Sequence, residues 1–173
     1  MVELTQVKEM IRTIPDFPKK GILFRDITPL LLDKRKFKFC IDQFAKKTKG
    51  KIDYVVSIES RGFIFGSALA YKLGVGFIPI RKEGKLPFHK HSAAYDLEYG
   101  QAVIEIHADA IREKSRVIII DDVLATGGTV EAAIGLVEKS KGIVAGVYFL
   151  VELLALGGRK RLKGYPVYSL VSY

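Results

Sequence analysis

Val117-Ile118-Ile119-Ile120-Asp121-Asp122-Val123-Leu124-Ala125-Thr126-Gly127-Gly128-Thr129 decides how this chain is read. Residues 117–120 are four consecutive β-branched side chains, a run that suits a parallel strand covered on both faces and suits a half-solvated strand badly. Asp121 and Asp122 therefore fall at the strand's carboxyl end, the edge at which open α/β sheets bind ligands. The chain then turns through Thr126-Gly127-Gly128-Thr129 into a segment where Val130, Ala133, Ile134 and Val137 recur at helical spacing. Glycines let the backbone approach an anion, the first helical N–H groups lack intrahelical partners, and the macrodipole favours negative charge. Residues Ala125, Thr126, Gly127, Gly128 and Thr129 are thus the expected phosphate grip. Two carboxylates cannot hold that phosphate, but they accept hydrogen bonds from a vicinal diol, so Asp121 and Asp122 suit a ribose whose 5′-phosphate sits in the turn. The bland alternative is an ordinary strand–turn–helix with an Asp-rich cap.

Other nucleotide grips fit worse. Gly127-Gly128-Thr129 lacks the lysine of a P-loop, and Gly74-Val75-Gly76 meets Pro79 where a dinucleotide fingerprint needs its third glycine. The 173 residues are enough for one domain with a full α/β core. Cys40, the one cysteine, cannot form an internal disulfide, and its neighbours Phe37, Ile41 and Phe44 mark it as a core thiol. Met1 to Ile14 carries Glu3, Lys8, Glu9 and Arg12 through what would be the apolar part of a signal peptide, and Ile143 to Leu156 is too short and too interrupted for a membrane span. A soluble cytoplasmic protein with no membrane partner is expected. The net charge of +9 fits nucleic acid, a membrane surface or a polyanionic substrate. The runs Lys34-Arg35-Lys36-Phe37-Lys38 and Arg159-Lys160-Arg161-Leu162-Lys163 read first as solvated faces.

Outward from the opening motif, strand and helix patterns alternate. Leu4, Val7 and Ile11 give an amphipathic helix, Asp33 caps a second that buries Phe37, Cys40, Ile41, Phe44 and Ala45, and a third covers about 63–73. Strands are expected at 53–58, 76–81, 101–107, 142–151 and 167–171. Such alternation predicts an α/β fold whose parallel-rich central sheet is flanked by helices. The polar stretch 82–100, with a strand-like piece at 93–98, is expected to be a lid or a disordered loop.

The opening motif resembles the signature of the type I phosphoribosyltransferases, which use phosphoribosyl pyrophosphate (PRPP). The resemblance runs from about Ile11 to Ser172 and includes Val151-Glu152-Leu153-Leu154-Ala155-Leu156-Gly157-Gly158-Arg159 near the C-terminus. It implies that family's fold over a single domain, 1–173, with a small N-terminal hood at 1–32 and a flexible catalytic loop at 82–100. Ile58-Glu59-Ser60-Arg61-Gly62 resembles the pyrophosphate loop, which implies a cis peptide at Glu59-Ser60 and binding roles for Ser60 and Arg61. Arg81, Lys82 and Lys85 add cations beside it. Their alternatives are a surface ion pair for Arg61 and a solvated loop for Lys82 and Lys85. Phe17 to Pro29 is similar to the base-recognition hood of the adenine-specific branch, which implies that Phe24 and Arg25 flank the purine. Tyr95-Asp96-Leu97-Glu98-Tyr99-Gly100 continues that likeness. By it Glu98 contacts N7 and manages the purine proton while Tyr99 helps close the loop, a sensible task because N9 must shed a proton as it attacks. Without the resemblance Glu98 is a plain edge-strand carboxylate. Phe88-His89-Lys90-His91-Ser92 departs from the family pattern, and His89 and His91 have no third ligand near them, so no protein metal site is expected.

The resemblance therefore implies phosphoribosyl transfer from PRPP to adenine, giving AMP and pyrophosphate, with Mg²⁺ held mainly through the substrate and the pyrophosphate. It also implies a purine-salvage role and a homodimer. Two rivals stand beside it: an enzyme for 6-oxopurines, which would need the opposite donor pattern at the 6-position, and a PRPP-sensing regulator that binds nucleic acid. The chain has no room for an added winged helix, which counts against the regulator.

Overall fold

A computed structural model describes residues 2–96 and 100–173. Five strands run parallel: β3 (Tyr54–Ile58), β4 (Gly76–Lys82), β7 (Arg116–Leu124), β8 (Ile143–Glu152) and β9 (Val167–Ser172). The antiparallel pair β5 (Lys90–Asp96) and β6 (Gln101–His107) extends the sheet beyond β4, in the order β5-β6-β4-β3-β7-β8-β9. Helices α1 (Leu4–Glu9), α2 (Thr28–Leu32), α3 (Lys34–Lys47), α4 (Gly62–Leu73) and α5 (Gly128–Lys139) surround it, and β1 (Arg12–Ile14) pairs with β2 (Phe24–Asp26) in a separate two-stranded sheet.

The β-branched run behaves as its composition requires. Ile118 and Ile120 pack into a core with Phe44, Phe65 and Leu69 of α3 and α4, whereas Val117 and Ile119 face Val130, Ala133, Ile134 and Val137 of α5. Each of the four is at most 1% exposed. A strand with period 2 can hide all its side chains only when both faces are roofed, which is why no polar residue interrupts the run. Asp33 caps α3 as expected, accepting from the Arg35 and Lys36 amides at 2.9 and 3.1 Å. Cys40 is buried, and burial pushes its thiol up to about 12.

Two expectations need correction. The strand carrying the acids does not end at Ile120 but continues to Leu124, because β8 reaches further than β3 and pairs with Asp121, Val123 and Leu124. On the other side β3 stops at Ile58, so the acids still border a gap at the sheet's carboxyl edge. Second, much of the polar stretch 82–100 is strand. Lys90–Asp96 pairs residue by residue with 101–107, alternating outward and inward side chains, so that His91, Ala93 and Tyr95 turn in. The strand-like piece thus starts three residues before Ala93, and beyond Asp96 it passes outside the described residues.

Strand order places a switch point in the middle of the sheet. From β3 the chain moves to β4 on one side, and β7, β8 and β9 build outward on the other. The crevice between the carboxyl ends of β3 and β7 is where such folds bind ligands. Ser57 ties these two strands, its hydroxyl donating to the Ile120 carbonyl at 2.8 Å.

Candidate functional site

A cleft of about 470 Å³ opens at that crevice, lined by Phe24 from the hood, Ile58, Glu59, Ser60 and Arg61 from the end of β3, Tyr95 from β5, and Asp121, Asp122, Val123, Ala125 and Thr129. A smaller hollow of about 70 Å³ lies under the turn and shares Asp121, Val123, Ala125 and Thr129 with it while adding Leu124, Thr126, Gly127 and Val130. The sequence motif is therefore split between two linked spaces. The small one, roofed by the helix N-terminus, is of anion size; the large one is of ligand size.

The turn's shape depends on glycine. Gly127 has φ +88° and stands at the N-terminus of α5, a conformation that residues with a Cβ rarely adopt. A Cβ on Gly158 would lie 2.2 Å from the Ala125 carbonyl oxygen, so the C-terminal segment presses its backbone directly against the glycine turn. Glu152 anchors that segment: Arg159 Nε donates to it at 2.8 Å and Ser169 Oγ at 2.8 Å, and these bonds hold its carboxyl below the usual range despite burial. The basic cluster at 159–163 is thus partly structural, since Arg161 also pairs with Glu131 at 2.9 Å.

Asp121 and Asp122 are electrostatically unequal to ordinary surface acids. Burial, then the neighbouring Asp122 charge, push the Asp121 carboxyl well up, although its Oδ1 accepts from the Asp122 amide at 2.9 Å. Burial also raises Asp122, and Arg61 opposes the rise. Arg61 Nε stands 2.7 Å from Asp122 Oδ2, close enough for a strong charge contact but without the alignment of a hydrogen bond, so that oxygen has an unused acceptor position. The Arg61 guanidinium also lies 4.9 Å from the centre of the Phe24 ring. One cation thereby links the hood's aromatic ring to the acid pair.

The Glu59–Ser60 peptide is cis, as the resemblance implied. Glu59 accepts from Arg81 Nε and NH2 at 3.2 and 3.1 Å and from the Lys82 amide at 3.1 Å, and Arg81 holds its carboxyl below the usual range. Arg81 is accordingly engaged with the loop rather than directed into the cleft. Lys82 and Lys85 are exposed next to it and do not line the cleft.

Phe24 reaches the cleft, and Arg25 does not. Neighbouring residues on a strand point to opposite sides; the Arg25 guanidinium lies 3.8 Å from the centre of the Tyr173 ring and donates to Thr13 Oγ1. Only its backbone remains near the purine position expected of it. Glu98 and Tyr99 lie outside the described residues, though Asp96 and Tyr95 just before them pack beside Gly128. Sequence reasoning missed Ile58, Glu59, Tyr95 and Val123 as cleft residues. Val123 was accessible, since it follows Asp121 by two and so shares its side once the strand is carried past Ile120.

Comparisons with known proteins follow the same lines. The model of the phosphoribosyl transferase domain family matches residues 31–170. An adenine phosphoribosyltransferase from Brachyspira hyodysenteriae is 56% identical over 169 residues, covering 97% of this chain and 99% of the relative. The crystal structure of adenine phosphoribosyltransferase from Thermoanaerobacter pseudethanolicus superposes with a TM-score of 0.96 at 53% identity, covering 99% of this chain and 100% of that one. The Saccharomyces cerevisiae enzyme of that name, solved with an imino-altritol bisphosphate and adenine, gives 0.93 at 43% identity, covering 96% and 97%.

Proposed function

This chain belongs to the phosphoribosyltransferase family, and from that premise we propose how its residues divide the work. The reaction is transfer of the phosphoribosyl group from PRPP to adenine, giving AMP and pyrophosphate. The bond from C1′ to the pyrophosphate oxygen breaks, a bond from C1′ to adenine N9 forms, and the N9 proton leaves. The observation that carries the division of labour is the cleft that joins Phe24, the Ser60–Arg61 loop and the acid pair, with the glycine turn forming the adjacent hollow that shares Asp121, Val123, Ala125 and Thr129 with it.

In this assignment the turn from Ala125 to Thr129 holds the 5′-phosphate and Asp121 and Asp122 accept from the ribose diol. Ser60 and Arg61 face the pyrophosphate, with Arg81, Lys82 and Lys85 adding positive charge on that side from outside the cleft lining, and stabilising the growing charge is the largest rate contribution open to such a site. Phe24 covers one face of the adenine, with Val123 and Ile58 as the apolar wall. Glu98 relays the proton and Tyr99 helps to close the loop. In this reading Mg²⁺ arrives on PRPP and is not held by a protein ligand set of its own. When bound through PRPP, that ion would add positive charge beside the departing pyrophosphate.

Residues 1–173 act as one unit in this reading, with 1–32 as hood and 82–100 as catalytic loop. The unit is a cytoplasmic homodimer that salvages purines. No helix among the described residues is long and apolar enough to cross a membrane. Helix α4 shows Tyr71 at 91% and Ile64 at 38% exposure, apolar surface that a second copy would cover. Light scattering of the purified chain tests the dimer, and fractionation of cells tests the location.

The experiment for the whole reading is to follow pyrophosphate release from PRPP and Mg²⁺ with adenine, hypoxanthine or guanine. AMP formed with adenine alone is expected. Turnover of an oxopurine at comparable kcat/KM would overturn the role given to the Phe24 hood.

A further inference from the structure

Glu105 sits in the middle of β6, 2% exposed, outside the cleft and outside every role assigned so far. A carboxylate covered from solvent in this way must find hydrogen-bonding partners within the protein. It has three, Gly84 from the turn after β4 and Lys90 and Ser92 from β5. Oε2 accepts from the Gly84 amide at 3.1 Å and from Lys90 Nζ at 2.9 Å, and Oε1 accepts from Ser92 Oγ at 3.3 Å. Burial pushes the carboxyl up, but these bonds more than offset it and hold it below the usual range. One side chain thus grips both the outgoing and the returning ends of the excursion 84–92.

A chain of contacts runs from this grip to the cleft. The turn held at Gly84 is closed by the Lys85 amide donating to the Lys82 carbonyl at 3.2 Å, and the Glu83 amide donates to Val103 of β6 at 3.1 Å. The Lys85 carbonyl accepts from Arg81 NH1 at 3.3 Å, and Arg81 is the residue that forks onto Glu59. Glu59 lines the cleft and forms the cis peptide with Ser60. In register, Glu105 stands opposite Arg81 on one side and Ser92 on the other, so the strand pairing itself centres it on this network.

We propose that Glu105 is a positioning residue that fixes the Lys82–Lys85 turn against the pyrophosphate side of the cleft, and that Lys90 serves as its structural counter-ion rather than as a substrate ligand. The inference rests on the assignment of Arg81, Lys82 and Lys85 to the pyrophosphate. It explains why a chain with many lysines at this edge spends one of them on a buried acid: without Lys90 the carboxylate would compete for the cations that substrate needs.

Glu105→Gln keeps the shape but loses the charge. The expected result is a KM for PRPP raised about tenfold, an unchanged KM for adenine, and amide hydrogen exchange at Gly84 faster by about tenfold in the substrate-free protein. Lys90→Met should raise the PRPP KM in the same way, and the double variant no more than the larger single change, as residues acting through one contact do. Either of two results overturns the proposal: faster Gly84 exchange with the PRPP KM unmoved, or both KM values and Tm moving together as general destabilisation would make them. Lys82→Ala with Lys85→Ala tests the underlying assignment separately. If that pair leaves the PRPP KM unchanged, the cations are not ligands, and Gly84 exchange alone decides whether Glu105 holds the turn.

Discussion

Arg61 Nε and Asp122 Oδ2 approach to 2.7 Å across the carboxyl edge of the sheet, joining the loop after β3 to the acid pair of β7. Each residue lies at the end of a different parallel strand, and the two strands are neighbours only because the chain order reverses between them. Arg61 also opposes the rise at Asp121, but burial and the Asp122 charge outweigh it.

That rise has a stability consequence with a definite sign. The folded-state pKa of Asp121 is raised by burial and by Asp122, so its contribution to stability is fully present below the ordinary carboxylate pKa and is lost as pH rises through the folded value. Above the ordinary carboxylate range the group therefore counts against the folded state. Asp121→Asn keeps an oxygen for the Asp122 amide and removes the charge. Tm at pH 7 should rise by about 2–4 °C, the shift that ~1 kcal/mol gives in a chain of this size, while the difference from the parent vanishes under acid conditions. PRPP should bind more weakly at the same time. A variant that loses stability at pH 7 would show that the carboxylate is satisfied without ligand.

Much of this site was legible in the sequence because its parts are local. The strand, the acids, the glycine turn and the start of α5 occupy 13 consecutive residues, and each link follows from side-chain branching, glycine or helix-end chemistry. Tyr95 and Glu105 were not legible in that way, since their roles depend on the antiparallel pairing of β5 with β6 and on which face of a seven-stranded sheet each residue meets. Arg25 shows the converse limit. Its place beside Phe24 in sequence suggested a shared ligand, but strand alternation sends its side chain to Tyr173.

Phe24 and Arg25 should accordingly separate on substitution. Phe24→Ala removes the ring that covers the base position, and loss of one aromatic stacking surface costs about 1–3 kcal/mol. The KM for adenine should rise roughly 5- to 150-fold with the PRPP KM little changed. Truncating Arg25 should instead lower Tm through lost packing on Tyr173. Steady-state kinetics with each substrate varied in turn, alongside thermal melts, distinguishes the two.

Gly158 supports the turn proposed to hold the phosphate from behind, and no side chain fits there. In Gly158→Ala the new methyl would start 2.2 Å from the Ala125 carbonyl oxygen, so either the turn or the C-terminal segment must shift. Overpacking of this kind costs about 1–3 kcal/mol. The PRPP KM should rise at least tenfold, and Tm should fall with it. An unchanged PRPP KM in a folded protein would mean that the turn tolerates displacement and is not the phosphate grip.

In the proposed division of labour Glu98 carries the remaining chemical task, because Asp121 and Asp122 are assigned to the ribose and the Glu59 carboxylate is held by Arg81 and the Lys82 amide. A positioned acid–base group contributes about 10²–10⁴ in rate. Glu98→Ala should therefore reduce kcat by about that factor while weakening AMP binding far less, since the phosphate turn, the diol acceptors and Phe24 are untouched. Glu98→Gln separates proton transfer from hydrogen bonding: if it keeps kcat within a few fold of the parent, the residue only orients the purine, and the N9 proton leaves to water.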